Sequence, residues 1–162
     1  MGDFADSYSI DLRPWGLWAC VHRLHIGQEF DEFCSVLGHA GIRSRQMLGT
    51  HCMFLDISAI GNALLTFDQI NCVMHTMHQI GCKRGTILVS NWRTAAVATE
   101  AWQGYGFADS WRALPANPVA LKGVNAGYDW ILRGKEPRLV VPSYIDDPDL
   151  RQWVEGLYDL PP

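Results

Sequence analysis

Residues 54–70, FLDISAIGNALLTFDQI, decide how this chain folds. An apolar run closes on Asp56 and Ser58, a loop follows, and Thr66 opens an amphipathic segment. Thr66 and Gln69 have the spacing of a capping box, in which the hydroxyl takes an orphan amide and the glutamine reaches back to the cap. From that cap Phe67, Ile70, Val73, Met74, Met77 and Ile80 recur at helical spacing as far as Gly81, with Asp68, Asn71, His75 and Gln79 on the opposite side. Upstream, "HCMFLDIS" is short, apolar and bounded by polar residues, which predicts a buried strand. Downstream, "GTILVS" predicts another. The centre of the chain is therefore strand, helix, strand.

Toward the N-terminus, "YSIDL" and "LWACVHRL" flank the Pro14-Trp15-Gly16 turn, and their alternation predicts a half-buried antiparallel pair. "QEFDEFCSVLGHAG", from Gln28, predicts a helix that stops near Gly38 or Gly41. Toward the C-terminus come an alanine-rich helix, "NWRTAAVATEAWQ", ended by Gly104, and a short strand in "GFADSW". A helix with Pro118 in its first turn then runs to about Leu132. "PRLVVPS" is extended, and Asp147-Pro148 precedes a last short helix. The fold class is α/β: a mixed β-sheet with an N-terminal antiparallel hairpin and later parallel strands covered by helices. Residues 1–134 are expected to form this domain. Residues 135–162, too apolar to float free, are expected to dock on it or on a second copy, which makes a homodimer an expectation.

Composition narrows the function. Of 162 residues, 48% are apolar and 19% charged, a globular balance, and the net charge of −4 disfavours nucleic acid as a general partner. No apolar run reaches the roughly 18 residues of a membrane span. The start, "MGDFADSYSI", has acid where a secretory signal carries base. Cysteines 20, 34, 52, 72 and 82 are odd in number and contain no C-x-x-C, so reduced thiols in a cytoplasmic protein are expected.

Several stretches carry a resemblance: "YSIDLRPWGLWACVH" as a leading hairpin, "MFLDISAIG" as a central strand with an Asp-x-Ser end, "HQIGCKRGTILVSNW" as helix, turn and strand, and "NPVALKGVNAGYDWIL" as a closing helix. On these, residues 7–132 resemble the STAS-like family of sulfate-transporter and anti-sigma-factor-antagonist domains, especially its small uncharacterised bacterial members. The resemblance implies a non-enzymatic regulatory module that docks onto a protein partner. Some members are switched by phosphorylation of a serine in Asp-Ser-Ser-Gly at the second helix. The corresponding place here reads "GNALLTFDQ", so that switch does not carry over, and Ser58 and Thr66 are the hydroxyls nearby.

Other residues offer competing chemistry. The alternative to a module is a small-molecule-binding protein or an enzyme, such as an acyltransferase, with a pocket at the carboxyl ends of the strands around Ser58, Ser90, Asn91 and Arg93. Against acetyl transfer, Asn91 stands too far from Gly106-Phe107 and no glycine-rich loop precedes a helix. Cys72, His75, His78 and Cys82 read as one polar helix side, but one short helix cannot wrap a tetrahedral metal, and a further ligand such as His51 or His25 would be needed. A solvated face is the simpler account, with no cofactor and no metal expected. His22 and His25 fall on opposite faces of a strand. Cys34 and Cys52 read as small core residues, and no local signature selects a cysteine nucleophile. Of seven tryptophans, four or five are expected in the core, and one left exposed beside Lys83, Arg84 and Arg93 would point to an acidic partner surface or an anionic ligand; alone, those charges read as a solvated rim.

Overall fold

The computed structural model describes residues 7–23, 28–49, 51–60, 66–90, 92–107, 109–115 and 122–137. Strands β1 (Tyr8–Arg13) and β2 (Gly16–Val21) form the leading hairpin; then come α1 (Gln28–Leu48), β3 (Cys52–Asp56), α2 (Phe67–Ile80), β4 (Arg84–Val89), α3 (Trp92–Gln103), β5 (Trp111–Pro115) and α4 (Lys122–Arg133). A 3-10 turn, Ser58–Ile60, follows β3. The sheet order is β1-β2-β3-β4-β5. β1 runs antiparallel to β2, and every later neighbour is parallel. The α/β class and the mixed sheet are thus as the hydrophobic pattern predicts.

A sheet that grows in one direction by right-handed crossovers places all its connecting helices on one face. That is the arrangement found. Leu17, Ala19 and Val21 of β2, Met53 and Leu55 of β3, and Ile87 and Val89 of β4 bury against α1, α2 and α3 in the larger core. The alternate residues, Cys52 and Phe54 of β3, Leu88 of β4 and Leu114 of β5, bury against Trp130 and Ile131 of α4 on the other face. Cys52, Met53, Phe54 and Leu55 are therefore buried on both sides, which explains why β3 is a continuous apolar run with no alternation.

The cap at Thr66 forms as its spacing predicts. Its hydroxyl accepts from the Gln69 amide at 3.2 Å, and Gln69 Oε1 accepts from the Thr66 amide at 2.9 Å. Gly81 ends α2 in the left-handed region, φ 81°, which a glycine adopts without steric cost. Ile70, Val73, Met74, Met77 and Ile80 all bury; the side chain of Phe67 lies outside the described residues.

Other boundaries move. α1 does not stop at Gly38 or Gly41 but continues to Leu48. Both glycines face α2, Gly38 against Thr76 and Gly41 against Ile80, and a methyl group at Gly41 would overlap the isoleucine. Close approach to α2, rather than helix termination, accounts for them. The strand expected in "GFADSW" starts only at Trp111, because residues 104–107 turn through Gly106 in the left-handed region. Pro118, the stretch "PRLVVPS" after its first residue, Pro137, and the last helix lie outside the described residues.

Arginines hold α4 to the sheet. The Arg84 guanidinium donates through Nε and Nη2 to the Ile131 carbonyl, at 3.2 and 3.0 Å, satisfying an orphan acceptor near the helix end. Arg112 lies 4.2 Å from the Trp130 ring centroid and pairs with Glu136 at 2.6 and 3.0 Å, which lowers the glutamate's pKa. Trp102, Trp111 and Trp130 are buried and Trp15 and Trp18 half-buried; the basic side chain beside a tryptophan is thus packed into the fold at Arg84. Among the described residues no helix is long and apolar enough to cross a membrane.

Candidate functional site

The carboxyl ends of β2, β3 and β4 form one rim of the sheet. Register ties Ser9 to Cys20, Cys20 to Asp56 and Asp56 to Leu88, so these four lie in one transverse row on the α4 face. His22 stands two residues beyond Cys20 on that face, and Ser58 and Ser90 stand two beyond Asp56 and Leu88. The predicted rim residues Ser58 and Ser90 do fall here, half-buried. Asn91 lies outside the described residues, as does the side chain of Arg93, although residue 93 belongs to α3.

Ser58 is occupied by its own turn. Its amide and its hydroxyl both donate to Asp56 Oδ1, at 2.9 and 2.5 Å, so the Asp-x-Ser end of β3 closes a local loop. Thr66 is exposed and caps α2. Both hydroxyls thus have a structural task that explains their residue type.

Cys20 and His22 were not among the expected site residues. The Cys20 sulfur lies 3.7 Å from His22 Nδ1, and His22 Nε2 lies 3.4 Å from the Ser9 hydroxyl. This line of thiol, imidazole and hydroxyl has the composition of a nucleophilic site, but its electrostatics oppose one. Burial, and then the negative charge of Asp56, push the Cys20 pKa up to about 11. The sulfur is a thiol at neutral pH, and the thiolate is the nucleophile. Alternation within "LWACVH" is the signal that places Trp18, Cys20 and His22 on one face.

The four metal-capable residues do not share a side. Cys72 turns to α1, where its sulfur meets that of Cys34. Cys82 lies beyond the end of α2, buried in the core, with its thiol pKa raised by burial. His75 and His78 stay exposed on α2 and pack against the turn after α3, their rings 5.9 and 5.7 Å from Tyr105. Among the described residues no three His, Cys, Asp or Glu side chains converge to hold a metal. His51 is buried beside Ser44, 3.2 Å from its hydroxyl, rather than turned to that helix.

The second candidate is a surface. Large exposed apolar side chains among the described residues are Leu12, Val36, Ile42, Met47, Leu48 and Leu132, and four of these belong to α1. α2 meets α1 along Cys34, Gly38, Gly41 and Arg45. Helical spacing puts Val36 and Met47 on the opposite flank, with half-buried Ala40 between them. That flank overhangs β1, which pairs with β2 alone among the described residues. Leu12 points to the same face as α1, because its register partner Leu17 lies in the larger core. The result is an apolar strip beside a sheet edge that no other described strand pairs with. No family model, curated protein or solved structure matches this chain.

Proposed function

We propose that this chain is a non-enzymatic protein-interaction module of STAS-like type, working in the cytoplasm as a regulatory component. The observation that carries the reading is Met47, 68% exposed, in line with Val36 on the flank of α1 above the β1 edge. A methionine on a surface costs solvation and adapts to a partner's shape, which suits it to a docking face. The occupant that fits is a partner protein presenting an extended strand. Its backbone would pair with Ile10–Arg13, and its alternate apolar side chains would lie against Leu12, Val36 and Met47. Asp11 and Arg13, on the other face of β1, are 54% and 46% exposed and deter indiscriminate edge pairing. The resemblance across residues 7–132 supports the same class of function.

The test uses the full chain and Met47→Glu. Partners captured from native cells are identified, purified and titrated onto each protein under hydrogen exchange. The reading expects protection at Ile10–Arg13 and along α1, and at least a tenfold weaker affinity for the variant. Protection confined to the carboxyl-end rim, or equal binding by both proteins, refutes it. The Cys20–His22–Ser9 line supports a second reading, small-molecule binding at that rim; a metabolite retained by the wild type and lost in His22→Ala would favour it.

A further inference from the structure

We propose that Cys34 and Cys72 are a redox-active thiol pair that hydrogen peroxide closes into a disulfide between α1 and α2. The two sulfurs are 3.1 Å apart, 38 residues distant in the chain. A disulfide requires about 2.0 Å, so closure needs a movement of roughly 1 Å. The helix pairing brings them this near. Gly38 lies one turn beyond Cys34 and takes the Thr76 methyl group in ordinary contact; Gly41 lies a further turn on and takes Ile80. With no side chains at those two positions the backbones approach closely, and the cysteine at the open end of the seam meets its opposite number.

The two thiols are not equivalent, which sets the order of steps. Cys34 is 6% exposed, and its pKa is raised, first by burial and then by Cys72 beside it. Cys72 is half-buried, the more exposed residue of the two, and in the proposed sequence it takes the first reaction with peroxide. Its thiolate attacks one peroxide oxygen; the O–O bond breaks, hydroxide leaves and takes up a proton as water, and Cys72 becomes a sulfenic acid. The Cys34 thiol then hands its proton to the sulfenic hydroxyl beside it, and its sulfur, a thiolate only within that step, attacks the Cys72 sulfur. The S–O bond breaks, a second water departs with the Cys34 proton, and the disulfide remains. Two thiols are oxidised and one peroxide is reduced to two waters. The crosslink would tie α1 to α2 around β3 and the Ser58–Ile60 turn. It does not depend on the docking face.

The experiment treats full-length protein with hydrogen peroxide, blocks remaining thiols with an alkylating agent and maps peptides without reduction. The expected result is a Cys34–Cys72 linked peptide that a dithiol reductant reverses, with Cys20, Cys52 and Cys82 carrying no crosslink. In Cys34→Ser, dimedone is expected to trap sulfenic acid at Cys72; in Cys72→Ser, Cys34 is expected to stay unmodified. Cys72 driven to sulfinic acid while Cys34 alkylates would overturn the proposal, as would a different cysteine partner. If either variant fails to fold, the wild-type peptide map alone decides.

Discussion

His51 is buried on the larger-core side of the ladder's start, with Nδ1 near Ser44 and no hydrogen-bond partner for Nε2 among the described residues. Burial, and then the nearby Arg45 charge, lower its pKa from 6.5 to about 4. The unfolded chain therefore binds this proton more tightly, so stability falls as pH drops through the window from 6.5 to 4 and levels off below it. From about pH 7.5 to about pH 4.5 the loss attributable to His51 is on the order of 2–3 kcal/mol. Urea unfolding of His51→Leu across that range should show a correspondingly shallower decline than the wild type; parallel declines would show that His51 does not titrate with unfolding. Nothing in "GTHCMF" marks this histidine as buried, because burial comes from α1 closing over the start of β3. Cys20 and His22 were hidden for a related reason: alternation places them on one face, but only register across the sheet brings Ser9 and Asp56 alongside.

At the scale of elements, the N-cap of α2 can be dissected. Thr66→Ala should lower stability by about 1 kcal/mol, while Thr66→Asp should keep it, since a carboxylate both caps and complements the helix dipole. Thermal melts of the two variants check this: no loss in Thr66→Ala would mean that the cap contributes nothing, and equal losses that a carboxylate does not replace the hydroxyl. α4 offers a harsher case. A methyl group at Gly127 would stand 2.6 Å from the Phe54 ring and 3.0 Å from the Thr86 methyl group, both buried. Gly127→Ala should therefore destabilise by about 1–3 kcal/mol through overpacking, despite the better helix propensity of alanine. A more stable variant by denaturant titration would show that α4 rides higher above the sheet. The ends of α1 and α2 illustrate what a sequence discloses. Thr66, Gln69 and Gly81 act on neighbours within one turn, so α2 was legible at both ends. Gly38 and Gly41 answer to Thr76 and Ile80 across the seam, so they looked like stops when they were contacts. β5 was displaced for the same kind of reason, since Trp111 belongs to the strand through its packing on Gly85 rather than through any local pattern.

For the whole molecule, the two faces of the sheet are unequal. Among the described residues, three helices cover one, and α4 is the helix that covers β3, β4 and β5 on the other. Local opening is governed by how much apolar area an element buries with its neighbours. Native-state hydrogen exchange should therefore find the amides of Met53, Phe54 and Leu55 slowest and those of α4 opening at lower free energy. Exchange of α4 together with β3 would mean that the smaller face is as cohesive as the larger. The class of the fold could be read in advance because strand and helix periodicities alternate cleanly from residue 52 onward. The proposed docking face could not: Met47 and Val36 look like ordinary helix residues until β1 is known to be an edge among the described strands.

Spatial order in this sheet is the same as order along the chain, β1 through β5, each strand beside the one made before it. A ribosome can thus assemble it unit by unit, with every emerging strand finding its template already outside the exit tunnel. α4 is the exception. Until residues beyond 133 clear the tunnel, Phe54, Leu88 and Leu114 present a bare greasy plane to solvent or to a waiting chaperone. The rate at which the segment after α4 is translated would then govern how long the nascent chain stays sticky.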